Sequence, residues 1–197
     1  MAGLKRIGIY GGTFDPIHHA HLILARDALE QLELEQIIFV PAAMSPHKLD
    51  CIPTDAATRL EMLAAAIHGE PRFSVDEIEL QRPPPSFAVE TAEAFVRSMP
   101  GAQLHYLIGS DNLPRLHTWH RFDDLERLVK FVVLNRGGAT PDSRYLTIER
   151  QIAISSTQIR NRVASGHSIR YLVPPVVDEI IHRRHLYTEP TTSPRKI

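Results

Sequence analysis

Ile7-Gly8-Ile9-Tyr10-Gly11-Gly12-Thr13-Phe14-Asp15-Pro16-Ile17-His18-His19-Ala20-His21 is an apolar run, a glycine pair, a turn and the start of an amphipathic pattern. Lys5 to Tyr10 reads as a buried strand, and Leu22, Ala25, Leu29 and Leu32 recur at helical spacing. Paired glycines at a strand's end mark a sharp turn or a close approach of backbone to a ligand. A helix beginning near His18 leaves unpaired N–H groups and partial positive charge facing that turn. Such an end suits an anion, and phosphate above all.

Two common phosphate fingerprints are missing: there is no G-x-x-x-x-G-K-[ST], and no G-x-G-x-x-G follows the strand. Instead His18 and His21 stand three apart, on one face of the first helical turn. Two imidazole donors there could steady charge on a phosphoryl group in transfer. On spacing alone they could equally be a histidine-rich helix start without a role, or a metal pair.

With 197 residues the chain can bury the core of one α/β domain. A net charge of −1 provides no basic field for bulk nucleic-acid binding. The single cysteine, Cys51, excludes an intramolecular disulfide framework and fits a reducing cytoplasm. No signal-peptide pattern is present, and no apolar run approaches the ~18 residues of a membrane span. Residues 1–187 read as one domain, and the polar, proline-containing 188–197 as a flexible tail.

Strand and helix patterns alternate beyond the first helix. Gln36 to Val40 is a second apolar strand, and Asp55 can cap a helix carrying Leu60, Leu63, Ala64 and Ile67 on one face. Between them lies a long irregular stretch with Ser45-Pro46-His47-Lys48, where Lys48 could reach a substrate phosphate or simply be a solvated loop charge. The alternation in Phe73 to Leu80 predicts a strand or a bulged strand. Pro83-Pro84-Pro85 takes the chain out of the sheet, and Ser86 is a sensible N-cap for the helix that follows. Leu104 to Ile108 is a further strand, closed by Gly109-Ser110-Asp111-Asn112. A carboxylate in that position commonly bonds ribose hydroxyls in an open α/β sheet, though Asp111 could equally be a plain helix cap. A lone Trp is usually a core residue, but Trp119 has His117, His120 and Arg121 around it instead of aliphatic residues, so it could also stack on an aromatic ligand. Lys130 to Leu134 is another strand, followed by the loop Asn135-Arg136-Gly137-Gly138.

Ile154-Ser155-Ser156-Thr157-Gln158-Ile159-Arg160 is the second informative stretch. Ser155 and Gln158 have capping-box spacing, while the hydroxyls, helix N–H groups and Arg160 also make a second anion site. Two such helix starts fit a triphosphate lying between them.

Gly11-Gly12-Thr13-Phe14-Asp15-Pro16 with His18-x-x-His21 resembles the signature of the nucleotidylyltransferase superfamily, and Ile154 to Arg160 resembles its I-S-S-T-x-I-R element. Pro46-His47-Lys48, Pro85-Ser86-Phe87, Ile108-Gly109-Ser110-Asp111 with Trp119 downstream, and Ser168-Ile169-Arg170-Tyr171-Leu172-Val173-Pro174 are similar to the bacterial nicotinate mononucleotide adenylyltransferases. These pieces run in family order over nearly the whole chain.

The resemblance implies an α/β fold, a Rossmann-like doubly wound parallel sheet with a helical C-terminal piece. It also implies adenylyl transfer from ATP to nicotinate mononucleotide, giving deamido-NAD and pyrophosphate in NAD biosynthesis. Gly11, Gly12, Thr13 and Phe14 would line the crevice, with His18 and His21 on the ATP phosphates and His21 nearest the reacting one. Asp111, beside Gly109, would meet the adenosine ribose, and Ser156, Thr157 and Arg160 the pyrophosphate. Lys48, Ser86, Phe87 and Ala88 would face the mononucleotide, with Trp119 stacked on its pyridine ring. Mg²⁺ would come with ATP, since no dedicated carboxylate cage is visible. The expected partners are the two substrates, without nucleic acid or membrane; a homo-oligomer is left open.

Two departures concern the ring site. The family usually has Tyr then Thr where this chain has Phe87 and Ala88, and often Tyr in place of His120. They leave open a preference for nicotinamide mononucleotide. Phosphopantetheine or cytidylyl chemistry usually goes with Gly before the second histidine, where this chain has Ala20. A non-catalytic nucleotide sensor on the same fold is disfavoured by intact His18, His21 and Arg160.

Overall fold

The computed structural model describes residues 5–43, 52–137 and 144–189. Six strands form one sheet: β1 (Arg6–Gly12), β2 (Gln36–Pro41), β3 (Phe73–Val75), β4 (Gln103–Gly109), β5 (Lys130–Asn135) and β6 (Leu146–Glu149). Their order is β3-β2-β1-β4-β5-β6, and every pairing is parallel. The helices are α1 (His19–Gln31), α2 (Ala56–Ile67), α3 (Ala88–Ser98), α4 (Phe122–Leu128), α5 (Ser156–Ala164) and α6 (Pro175–Arg183). A 3₁₀ helix, Ser110–Thr118, leads out of β4.

Parallel strands are buried on both faces, and the residues of β1 divide accordingly. Ile7 and Ile9 join Val89, Phe95 and Leu125 under α3 and α4. Tyr10 joins Leu29, Leu63, Ile159 and Ile181 under α1, α2, α5 and α6. The sheet is therefore doubly wound, with α5 and α6 as its helical C-terminal piece. The connection runs outward from β1 to β2 and, later in the chain, from β1's other side to β4. That reversal opens a crevice at the carboxyl ends of β1 and β4, where Gly12 and Gly109 end their strands.

Asp55 caps α2 by accepting from the Thr58 N–H at 2.9 Å, and Ser155 caps α5 by accepting from Gln158 at 3.2 Å, both as the residue types predict. Two expectations are corrected. The strand expected over Phe73 to Leu80 stops at Val75. Asp76 Oδ1 accepts from the Ile78 N–H at 2.9 Å and closes a turn, and Glu79 just beyond it is 5% exposed. Ser86 is not the cap of α3; that position is Phe87, and the Ser86 hydroxyl accepts from the Ala43 N–H at 3.2 Å instead. The β6 strand went unread in the sequence because its alternation, Leu146-Thr147-Ile148-Glu149, runs over only four residues. Lys48, with Pro46 and His47, lies outside the described residues, as does the tail from residue 190.

Candidate active site

Two adjoining cavities, about 370 and 290 Å³, open at the switch point and share the wall Gly11–Thr13 together with Asp111 and Asn112. Glycine is needed at this wall because a Cβ on residue 11 would stand 2.9 Å from the Tyr106 hydroxyl. Phe14 then turns the chain with φ +48°, unusual for a side-chain-bearing residue. Its buried ring meets Tyr10 edge-on at 5.4 Å and His21 at 5.2 Å.

His18 is the N-cap of α1 and is fully buried at the floor of the smaller cavity. Neither of its ring nitrogens has a hydrogen-bond partner among the described residues. Burial, reinforced by the nearby Arg136 guanidinium, pushes its pKa down to about 3, so the ring is neutral at physiological pH. It stacks on His21 with centroids 3.7 Å apart and planes within 15°. His21 Nδ1 accepts from the His18 backbone N–H at 3.3 Å, an assignment that puts the ring proton on Nε2. The pair thus lies on one face, as the three-residue spacing predicts, but its members differ: one is a buried neutral ring, the other a half-buried oriented donor.

The start of α5 lies opposite. Ser156 Oγ donates to the Pro16 carbonyl at 2.9 Å, and Arg160 Nη1 donates to the Asp15 carbonyl at 2.7 Å. Arg160 Nη2 donates to Thr157 Oγ1 at 3.3 Å. Arg160 lines the cavity half-buried, seated on the turn before α1. Arg136, read in the sequence only as part of a loop, lines the same cavity and donates from Nη1 to the Ile154 carbonyl at 3.0 Å. A cation immediately after an apolar strand was the available signal, the same kind that singled out Asp111. Asp111 is exposed on the first turn of the 3₁₀ helix, whose cap is Gly109, and Arg136 Nη2 lies 4.0 Å from its Oδ1. The plain-cap alternative for Asp111 is thereby set aside.

The larger cavity is lined by Glu79, Phe87, Ala88, Tyr106, Trp119 and His120. Trp119 borders it while meeting Tyr106 and Phe131 edge-on at 6.3 and 6.4 Å. The His120 and Phe87 rings lie 4.3 Å apart, tilted by 34°, so the two departures from the family pattern touch each other. Burial raises the pKa of the Glu79 carboxyl, against the Thr91 hydroxyl that donates to it at 2.8 Å. This half is largely aromatic and apolar; the smaller half carries Arg136, Arg160, His18 and His21. Among the described residues no group of three or more His, Cys, Asp or Glu side chains is placed to hold a metal.

A cytidylyltransferase-like family model matches residues 9–162. The probable nicotinate-nucleotide adenylyltransferase of Geobacillus thermodenitrificans is 43% identical, with 93% of this chain and 87% of that one aligned. Its counterpart in Thermomicrobium roseum is 39% identical over 98% of both chains. Among solved structures, the Plasmodium falciparum nicotinic acid mononucleotide adenylyltransferase complexed with NaAD superposes with a TM-score of 0.80, covering 93% of this chain and 98% of that one. Identity there is 20%, so that likeness speaks for the fold. Motif order, cavity geometry and full-length relatives agree: the chain belongs to the nicotinate-nucleotide adenylyltransferases of the cytidylyltransferase-like family.

Proposed function

We propose that the protein transfers the adenylyl group of ATP to nicotinate mononucleotide, giving deamido-NAD and pyrophosphate, a step of NAD biosynthesis. The observation that carries this reading is the pair of cavities, one cationic and one aromatic, meeting at the Gly11–Thr13 wall. A mononucleotide phosphate is itself a nucleophile, so no covalent enzyme intermediate is needed. One of its oxygens attacks the α-phosphorus, the bond to the bridging oxygen of the β-phosphate breaks, and pyrophosphate leaves with that electron pair.

The protein's contribution is to align two polyanions and to neutralise charge as it develops. His21, with its proton on Nε2, donates to the α-phosphate. The N-terminal N–H groups of α5, with Arg160 and Arg136, receive the departing pyrophosphate. Asp111, at the junction, meets the adenosine ribose, and Trp119 lies against the pyridine ring. Bound together with ATP, Mg²⁺ would supply further charge neutralisation. The crevice fits an ion held by substrate, since its described carboxylates do not cluster. The lone cysteine supports a cytoplasmic setting, and the net charge of −1 gives no support to a nucleic-acid partner. No helix among the described residues is long and apolar enough to cross a membrane.

Nicotinate is favoured over nicotinamide because donors at the start of α3 meet the ring carboxylate. An amide there would set NH₂ against N–H groups, and leaving such groups unpaired costs roughly 1–3 kcal/mol, about five- to a hundredfold. Ala88 removes at most one hydroxyl and no backbone donor. Pyrophosphate release with each mononucleotide and with phosphopantetheine tests the assignment. Equal or inverted kcat/KM for the two mononucleotides would sink it and point to Glu79 as an acceptor for the amide.

A further inference from the structure

The turn from Thr13 to Pro16 walls the phosphate side of the crevice, and several distant segments hold it. Arg59, 1% exposed inside α2, donates from Nη1 to the Thr13 carbonyl at 2.8 Å. Arg160 and Ser156 bond the Asp15 and Pro16 carbonyls. The Asp15 side chain, 8% exposed, completes the arrangement. Its Oδ2 accepts from the Thr54 N–H at 3.1 Å, and its Oδ1 accepts from the Tyr187 hydroxyl at 2.5 Å, across 172 residues of sequence. One residue therefore joins the end of the described chain to the backbone that seats Arg160.

We propose that Tyr187 is a positioning residue for adenylyl transfer, acting through Asp15 to hold the turn on which the Arg160 guanidinium rests. Burial first, and the adjacent Asp15 carboxylate second, push the Tyr187 phenol upward, so the hydroxyl remains a donor across the working pH range. Without that donor, a nearly buried carboxylate keeps only the Thr54 backbone N–H of these two hydrogen bonds and can rotate. The Asp15 carbonyl, on the same residue, moves with it. The effect falls on the ATP half, because Asp15 and Arg160 line the smaller cavity and not the larger.

This inference rests on the adenylyl-transfer reading, and its test separates the two. Tyr187→Phe keeps the ring packed and removes only the hydroxyl. Initial rates of pyrophosphate release, with each substrate varied in turn, are expected to show about a tenfold loss in kcat/KM for ATP, the scale of one charge-assisted hydrogen bond. KM for nicotinate mononucleotide should move by less than about twofold, because the larger cavity is not touched. Asp15→Asn should show the same selective loss, and the double variant should be no worse than the more affected single one. A purely anchoring role predicts a lower Tm with normal kinetics, and that result would overturn the proposal. Additive losses, or equal losses on both substrates, would overturn it as well. If wild-type protein releases no pyrophosphate, the adenylyl-transfer reading fails separately. The rise in Tm on adding ATP then still decides the positioning role: it should be smaller in Tyr187→Phe, and an equal rise would overturn it.

Discussion

His18 and His21 share a helix face, yet the structure divides their labour, and the division sets what each substitution does. His21 is oriented by the His18 backbone N–H and presents its proton on Nε2, so in the proposed reaction it would act on charge that grows in the transition state. His21→Ala is expected to lower kcat by about 100- to 1000-fold, with a far smaller rise in either KM; a near-normal kcat would make it a packing residue against Phe14 and Tyr10. Gly11 acts sterically. Gly11→Ala would set a methyl group 2.9 Å from the Tyr106 hydroxyl, and Tyr106 is held by Trp119 and Phe131. The hydroxyl must then shift at the wall of the larger cavity, so KM for the mononucleotide should rise several-fold, and unchanged kinetics would show that the ring gives way freely. Residue types and spacing made His18, His21, Gly11 and Arg160 legible in the sequence. Arg136 carried a signal, its place just after an apolar strand, that was read only as a loop, whereas Glu79 owes its place to the Asp76 turn, whose direction local sequence does not encode.

The helix starts were legible to different degrees. α2 and α5 begin on Asp55 and Ser155, whose own side chains satisfy a backbone N–H, so a local pattern was sufficient. The start of α3 misled because the Ser86 hydroxyl has a tertiary partner, the Ala43 N–H at the end of β2, and the helix begins one residue later. β3 misled for a similar reason: alternation of acid and apolar residues continues past Val75, while the Asp76 turn redirects Glu79 inward. Strand order was implied only by family resemblance, since register between distant strands leaves no local trace. The α5 cap supports a test at this scale. Ser155→Ala removes the acceptor for the Gln158 N–H and should cost about 1 kcal/mol, roughly 2–4 °C in Tm for a chain of this size. Because the same helix end lines the smaller cavity, where the proposed reaction puts the ATP phosphates, KM for ATP should rise as well. A lower Tm with unchanged KM would separate the cap from the binding site.

For the molecule as a whole, the buried titratable groups fix how stability depends on pH. His18 titrates near 3 in the fold against an ordinary value of 6.5, chiefly because it is desolvated. His105, buried within β4, is lowered for the same reason. Between those limits the unfolded chain takes up protons that the folded chain refuses, so acid favours unfolding. Stability from these two groups is fully present above about pH 6.5 and is lost as pH falls below it, by at most roughly 1.4 kcal/mol per pH unit for each. Glu79 opposes them, because its raised pKa makes the fold the better proton binder above the ordinary carboxyl value of 4.5. Two groups against one leave a net loss toward acid, and below 4.5 the opposition disappears because both states are then protonated. Urea unfolding at pH 7.5, 6.5 and 5.5 should therefore give a midpoint that falls with pH at constant m. His18→Asn should flatten that fall, since it removes the group with the largest resolved histidine shift while leaving His105 and Glu79 in place. A wild-type midpoint that is level or rises from pH 7.5 to 5.5 would contradict a neutral buried His18, and with it the division of roles between the two histidines.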